Sequence, residues 1–452
     1  MYQQLAQKYN VAAPRYTSYP TLPYWDNDLF STSKWETAVK RSFTESNNKD
    51  GISLYVHLPF CESLCTYCGC NTRITKNHRV EEPYINAVLL EWERYRAILG
   101  DIPVIKEIHL GGGTPTFFSA ENLHKLIDGL LKGALVHPYA EFSFEAHPAN
   151  TTADHLKILF KLGFKRLSLG IQDFDPAVQK IINRHQTYEQ VRLVTQLARQ
   201  IGYTSINYDL IYGLPLQTMD GLINTMHLVT GLQPDRIAYY SYAHVPWVKP
   251  GQRMFTERDL PDAQTKTRLY QTGRDLLQLH GYKEIGMDHF ALPEDTLSLA
   301  ECTGNLHRNF MGYTHQHTQL LIGLGVSAIS DAWYGFAQNV KTVEEYINLV
   351  KYDLPVIKGH ILTGEDLILR KHITEIMCNG YTIWNQHIEP CVALLEGVLR
   401  LKSFEDDGLI NINSWELRVT PLGKRFLRNI CMALDARLWA KLPASELFSM
   451  AV

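Results

Sequence analysis

Four of the chain's eight cysteines fall inside ten residues, CESLCTYCGC, at positions 61, 65, 68 and 70. Such crowding serves a small set of chemistries. Cys61, Cys65 and Cys68, spaced C-x3-C-x2-C, can hold three corners of a cubane iron–sulfur cluster, because thiolates are the soft donors such clusters take. Three ligands leave one iron open, and an open iron can bind the amine and carboxylate of a small amino-acid-like molecule and pass it an electron. A structural zinc site would need Cys70 or His57 as a fourth ligand, and the loop lacks the usual paired spacing. A redox dithiol would use Cys65 with Cys68, or Cys68 with Cys70, but neither pair opens a thioredoxin-like helix. The other cysteines, Cys302, Cys378, Cys391 and Cys431, are scattered and read as small buried apolar side chains.

The rest of the chain bounds what this loop can serve. Its 452 residues, 45% hydrophobic and 20% charged, describe a globular protein of about two or three domains. A formal net charge of −3 gives no support for a nucleic-acid partner. No run of about eighteen apolar residues predicts a membrane span. The N-terminus carries no basic stretch followed by a long apolar one, so the expected location is cytoplasmic, where clustered cysteines bind metal or do redox work. No coiled coil or interface helix stands out, and a monomer is expected.

The elements that must position the loop alternate in type. β-rich runs at 53–58, 104–110, 141–146, 166–171, 205–213 and 236–242 are separated by helical patterns near 81–99, 119–132, 151–162, 187–201 and 218–230, with another at 262–280. This series predicts a parallel sheet with helical crossovers. The strands read as apolar on both faces, as helix-covered strands do. Each run ends in polar or glycine-rich sequence, so the loops at the strands' C-terminal ends should converge on one site. Six units are fewer than a closed barrel needs. The expected fold class is therefore α/β, a partial (β/α)6 TIM-like barrel whose open mouth takes a large substrate. Residues 1–50 form an N-terminal substrate-covering (lid) segment, 51–300 the barrel, and 301–362 a barrel-completing and connecting region. Residues 363–452 form a mostly helical, winged-helix-like C-terminal domain, with a hairpin around 408–423 and a last helix near 421–440.

The cysteine spacing, the aromatic Tyr67 before the last ligand, the preceding strand and the GGGTP turn at 111–115 resemble the radical S-adenosylmethionine enzymes. APRYTSYPT (13–21), IQDFDPAVQKIINR (171–184), YDLIYGLPLQT (208–218), GMDHFA (286–291), LHRNFMGYT (306–314), GVSAIS (325–330) and RNICMALD (428–435) narrow the likeness. Together these stretches resemble the oxygen-independent coproporphyrinogen III oxidase (dehydrogenase) family of heme biosynthesis. The resemblance implies a 4Fe–4S cluster that cleaves S-adenosylmethionine to a 5′-deoxyadenosyl radical. It further implies oxidative decarboxylation of two propionates of coproporphyrinogen III to vinyl groups, giving protoporphyrinogen IX. Two S-adenosylmethionine molecules, an electron donor such as a flavodoxin or ferredoxin, and an unidentified electron acceptor are implied as well.

Carried over by motif, Cys61, Cys65 and Cys68 are the expected metal ligands, and Cys70, Tyr55 and Glu145 the expected catalytic residues. Tyr55, Gly112, Glu145 and Ile329 would contact the first S-adenosylmethionine. Tyr67, Gly113, Thr114, Gln172, Arg184, Asp209 and Ala243 would line the second. The substrate's propionates call for positive charge, with Arg15, Arg73 and Arg308 as candidates, and Tyr16 and Tyr19 could cover the ring. One departure is EAHPAN (145–150), where His147 replaces an expected acidic residue. Two rival readings are a heme chaperone-type relative, which typically lacks the PRYTSYPT leader and carries phenylalanine near position 70, and a radical porphyrin or heme methyltransferase.

Overall fold

In the computed structural model, which describes residues 2–385, 390–443 and 448–451, six parallel strands lie side by side in chain order. They are Ile52–Leu58, Val104–Gly112, Leu135–Ala146, Phe164–Gln172, Ser205–Tyr212 and Arg236–Ser241. The crossover helices start where the sequence places stop signals for the preceding loops. Thr152, Thr187 and Thr218 each accept a first-turn N–H at the N-cap of the next helix, and Thr152 and Thr187 complete capping boxes with His155 and Gln190. All six strands and their helices lie where the periodicity predicts them; the third strand begins earlier, at Leu135.

The strands are not apolar on both faces. Leu54, Val56, Ile108, Phe144, Leu167 and Ile237, each at most 1% exposed, pack outward beneath the helices. Their sequence neighbours Tyr55, His109, Glu145 and Ser168, and Tyr240 three residues beyond Ile237, point to the other face, because side chains alternate along a strand. That face encloses a polar lumen, so only one face of the sheet is covered by helices.

Nor is the sheet limited to six strands: it has twelve. Beside the first strand it continues through Leu321–Leu324, which is parallel, and then through Ile329–Asp331, Gly335–Asn339 and Val356–Ile361, which are antiparallel. Beyond the sixth strand come His289–Ala291 and Lys283–Gly286, also antiparallel. The result is an α/β architecture on one large mixed sheet. These added strands are three to six residues long, too short for periodicity to reveal them.

After helix Gly364–Asn379 a small sheet orders Tyr381–Ile383, Glu416–Val419 and Ile410–Ile412. The single helix expected near 421–440 is instead a 3-10 turn, Gly423–Phe426, and two short helices, Leu427–Ala433 and Ala436–Ala440. Asp435 makes the break by capping the second of these, accepting the Leu438 N–H at 3.0 Å.

The N-terminal residues do two jobs. Helix Thr32–Asp50 buries Trp35, Val39 and Phe43 in the core of the main sheet. Tyr16 and Tyr19, expected as a cover over the substrate, turn inward instead and join Leu369, Ile373 and Leu427 in a second core. Apolar rings gain more from that burial than from a wet cavity wall. No helix among the described residues is long and apolar enough to cross a membrane.

Candidate active site

A cavity of about 860 Å³ opens at the C-terminal ends of the parallel strands, and Cys61, Cys65, Cys68 and Cys70 all line it. The loop that carries them is pinned at both ends. Phe60–Cys61 pairs with Arg73–Ile74, with the Arg73 N–H donated to Pro59 O at 2.8 Å and the Thr75 N–H to Cys61 O at 2.9 Å. Its middle is tied to the turn after helix Pro176–Ile181, through Thr66 N–H to Ile182 O at 2.9 Å and Asn183 Nδ2 to Leu64 O at 2.7 Å.

All eight cysteines are free thiols, and each of the three expected ligands has its own polar neighbour. Thr114 Oγ1 lies 3.3 Å from Cys61 Sγ, Arg184 donates to Cys65 Sγ at 3.7 Å, and the Cys70 N–H donates to Cys68 Sγ at 3.4 Å. Burial pushes the Cys61 thiol up to about 11, whereas hydrogen bonding from Cys70 lowers Cys68 and raises Cys70 in return. Among the described residues no three His, Cys, Asp or Glu side chains converge on one point, as a single ion such as zinc requires. Cys61, Cys65 and Cys68 all line the one open cavity, and thiolates are the donors an iron–sulfur cluster takes. Of the scattered cysteines, Cys378, Cys391 and Cys431 are buried as expected, but Cys302 is exposed.

The glycine turn packs tightly against its neighbours. A Cβ on Gly112 (φ +108°) would stand 2.5 Å from the His57 ring, and one on Gly113 2.6 Å from the Pro59 carbonyl. The turn's N–H groups are not left exposed for a guest. Gly113 donates to Leu58 O at 2.8 Å, Thr114 to Phe60 O at 3.0 Å and Gly112 to Glu145 Oε2 at 3.2 Å. What the glycines supply is close approach of the second strand's end to the cysteine loop and to Glu145.

Sheet register assembles the polar row. Tyr55 sits beside His109, His109 beside Ser143, Glu145 beside Ser168, and Ser168 beside Asn207. Burial raises the Glu145 carboxyl, but hydrogen bonds from His109 and the Gly112 N–H outweigh it and hold the group below its usual range. Asp209 accepts from Ser168 Oγ at 3.0 Å and Asn207 Nδ2 at 2.8 Å; burial and the nearby charge of Glu145 push it up to about 6. Arg184 is 8% exposed and donates through Nε to Gly170 O at 3.1 Å. Gln172 holds a left-handed φ of +66°, a conformation costing a non-glycine residue about 1 kcal/mol or more. Gln252 Nε2 joins Tyr67 O and Ala243 O, each at 3.2 Å.

The cavity thus gathers Gly112, Gly113, Thr114, Glu145 and Asp209, and also Tyr67, Gln172, Arg184 and Ala243. Two expected cofactor residues are not in its lining. Tyr55 is on the lumen face beside the lining residue His109, on which its ring stacks, with its hydroxyl 3.1 Å from His57 Nδ1. Ile329 lines a second cavity of about 330 Å³ together with Arg15 and Phe310. Arg73 is a surface side chain paired with Glu344 at 2.8 Å, because the loop-closing strand turns it outward. His147 does line the large cavity, where burial and the Arg184 charge lower it to about 3, so it is neutral. His109 was missed by sequence reading; the alternation of apolar and polar residues in VIKEIHL was the available signal.

A thiol triad at the mouth of this sheet is the arrangement of radical S-adenosylmethionine proteins, and residues 55–229 match the Radical SAM superfamily. The chain is 40% identical over 446 residues to the oxygen-independent coproporphyrinogen III oxidase of Salmonella typhimurium, covering 97% of this chain and 95% of that protein. It is 39% identical to the Escherichia coli protein of the same name, again over 97% and 95% of the two chains. The solved Escherichia coli coproporphyrinogen III oxidase, described as a radical SAM enzyme, superposes with a TM-score of 0.87 at 36% identity, covering 93% of this chain and 97% of that one. The chain belongs to the oxygen-independent coproporphyrinogen III oxidase family.

Proposed function

We propose that the chain converts two propionate side chains of coproporphyrinogen III to vinyl groups, giving protoporphyrinogen IX. Each conversion removes one hydrogen atom, passed to the 5′-deoxyadenosyl radical, and one electron, passed to an external electron acceptor, and releases carbon dioxide. The observation that carries this reading is the single cavity in which three free thiols face Glu145, Asp209 and Arg184, in a chain that matches its family over nearly its whole length. The architecture is read as a partial (β/α)6 barrel extended at both edges, with a winged-helix-like C-terminal part.

Cys61, Cys65 and Cys68 would hold a 4Fe–4S cluster, which with bound S-adenosylmethionine and an external one-electron donor supplies the hydrogen-abstracting radical. Glu145, kept ionised by His109 and Gly112, is suited to accept hydrogen bonds from an amine or a hydroxyl pair. Asp209, carried on the fifth strand, offers a second acceptor, and Arg184 a donor for a carboxylate. Tyr67, Gln172 and Ala243 wall the space in which a second S-adenosylmethionine would lie. Enclosure by these side chains keeps bulk water from the reacting carbon.

Anaerobic incubation of the reconstituted chain with reductant, S-adenosylmethionine and coproporphyrinogen III tests the reading. Two carbon dioxides and two new vinyl groups per tetrapyrrole are expected. 5′-Deoxyadenosine without either product would overturn it, as would a methylated porphyrin or tight heme binding alone.

A further inference from the structure

Five arginines are buried among the described residues: Arg184, Arg236, Arg308, Arg370 and Arg428. Four of them have close acceptors. Arg184 reaches Gly170 O at 3.1 Å, Arg236 reaches Asp295 at 2.7 Å, Arg370 reaches Asp331 at 2.5 Å and Arg428 reaches Met450 O at 2.7 Å. Arg308 is the exception. It is 8% exposed, yet its Nε and one terminal nitrogen have no hydrogen-bond partner, and the other terminal nitrogen reaches only Arg15 O, at 3.4 Å. No ion-pair partner stands beside it among the described residues. A buried guanidinium left unanswered is costly, so its persistence points to an anion that completes it.

The surroundings say which anion. Arg308 lies on the strand His307–Asn309, with its guanidinium 4.4 Å from the Tyr313 ring centre. Arg15, paired with Asp288, has its guanidinium 5.8 Å from the Tyr240 ring centre. Tyr240, Tyr313 and His289 line the large cavity and Arg15 the small one. Arg308 itself is in neither lining: it packs on Tyr313 and reaches Arg15 O, between the two. His289 Nδ1 is also buried without a partner. Burial and the guanidiniums of Arg308, Arg15 and Arg236 lower that imidazole to about 3, so it adds no charge of its own. A planar fork of N–H donors beside tyrosine rings suits a carboxylate on an apolar aromatic body.

Arg15 is set in place from a distance. Arg428 donates to the carbonyls of Ala13 and Pro14 and to those of Ser449 and Met450, while the Tyr16 hydroxyl donates to Asp435 at 3.0 Å. The stretches APRYTSYPT and RNICMALD, more than 400 residues apart, therefore act as one clasp that presents Arg15 to Arg308.

We propose that Arg308, with Arg15 beside it, binds a propionate carboxylate of the tetrapyrrole and so anchors the ring at the hairpin end of the cavity. This rests on the reading of coproporphyrinogen III as substrate. The test compares wild type, Arg308→Gln and Arg308→Lys as full-length, cluster-reconstituted protein. Their KM for coproporphyrinogen III is measured, together with fluorescence-detected binding of coproporphyrin III and of its tetramethyl ester. Arg308→Gln should raise KM by about 10- to 100-fold while retaining cluster absorbance and melting temperature, and the uncharged ester should not distinguish it from wild type. Arg308→Lys, which keeps the charge but loses the fork, should raise KM by about 3- to 10-fold, and it carries the test if the glutamine variant does not fold. A KM within twofold of wild type in a folded variant overturns the inference, as does an ester that loses as much affinity as the acid. Wild-type protein that turns over no coproporphyrinogen III would instead sink the functional reading itself.

Discussion

The two ends of the large cavity are built in opposite ways. At one end a single loop, residues 61–74, delivers four thiols and is closed by its own backbone hydrogen bonds. At the other, Tyr240, His289 and Tyr313 on the wall, with Arg15 and Arg308 packed beside them, come from segments spread over about 300 residues and meet only because the whole chain has folded. The first end is a motif; the second is an assembly. Chemistry common to many reactions can be carried on a short local stretch, whereas recognition of one large substrate depends on distant elements being held in register.

Substitutions at the two ends should therefore separate. Cys65→Ala has the largest expected effect, complete loss of the 4Fe–4S absorbance and of 5′-deoxyadenosine formation. A variant retaining a full cluster spectrum would contradict the ligand assignment. Arg428→Ala comes next. It leaves the Ala13, Pro14, Ser449 and Met450 carbonyls without their charged donor, and about 3 kcal/mol of stability should be lost. Thermal melts should show the loss, with cluster absorbance unchanged and the KM for the tetrapyrrole raised. Loss of the cluster in a folded Arg428→Ala protein would erase the contrast between the ends.

A smaller effect is expected at Asp209. Its carboxyl is raised to about 6 in the fold, against about 4 in an unfolded chain. The folded state thus binds the extra proton between those values, and stability falls as pH rises from about 4 to 6. Asp209→Asn should flatten that slope, worth on the order of 2 kcal/mol, in denaturant titrations across the window. An unchanged slope would mean that the carboxyl is not held in a desolvated site. The smallest effect belongs to Cys70→Ser. Its neighbour Cys68 keeps the N–H of residue 70 as a donor, so the cluster spectrum should be intact.

The same contrast explains what the sequence revealed. The cysteine spacing, the glycine turn and the six parallel strands are local patterns, and each lies where reading predicted it. The alternation that makes the inner face polar was also present, in VIKEIHL and SINYDLIYG, but the irregularity between Ile105 and Glu107 in the first and the tyrosines among apolar residues in the second disguised it. Short edge strands such as Leu321–Leu324 and Ile329–Asp331 have too few residues to show a period. Arg308 and Arg15 were visible as candidates, yet only the fold shows that one is unanswered and that Arg73, an equal candidate by sequence, faces solvent. Tyr16 and Tyr19 were misplaced because pairing with a core some 400 residues away leaves no local signature.

The separation of the two ends is tested most directly by measuring coproporphyrin III affinity in two full-length proteins, cluster-free Cys65→Ala and cluster-replete Arg308→Gln. The account predicts near-wild-type porphyrin affinity in the first and a loss of about 10- to 100-fold in the second. The reverse pattern, porphyrin binding that follows the cluster and ignores Arg308, would contradict it.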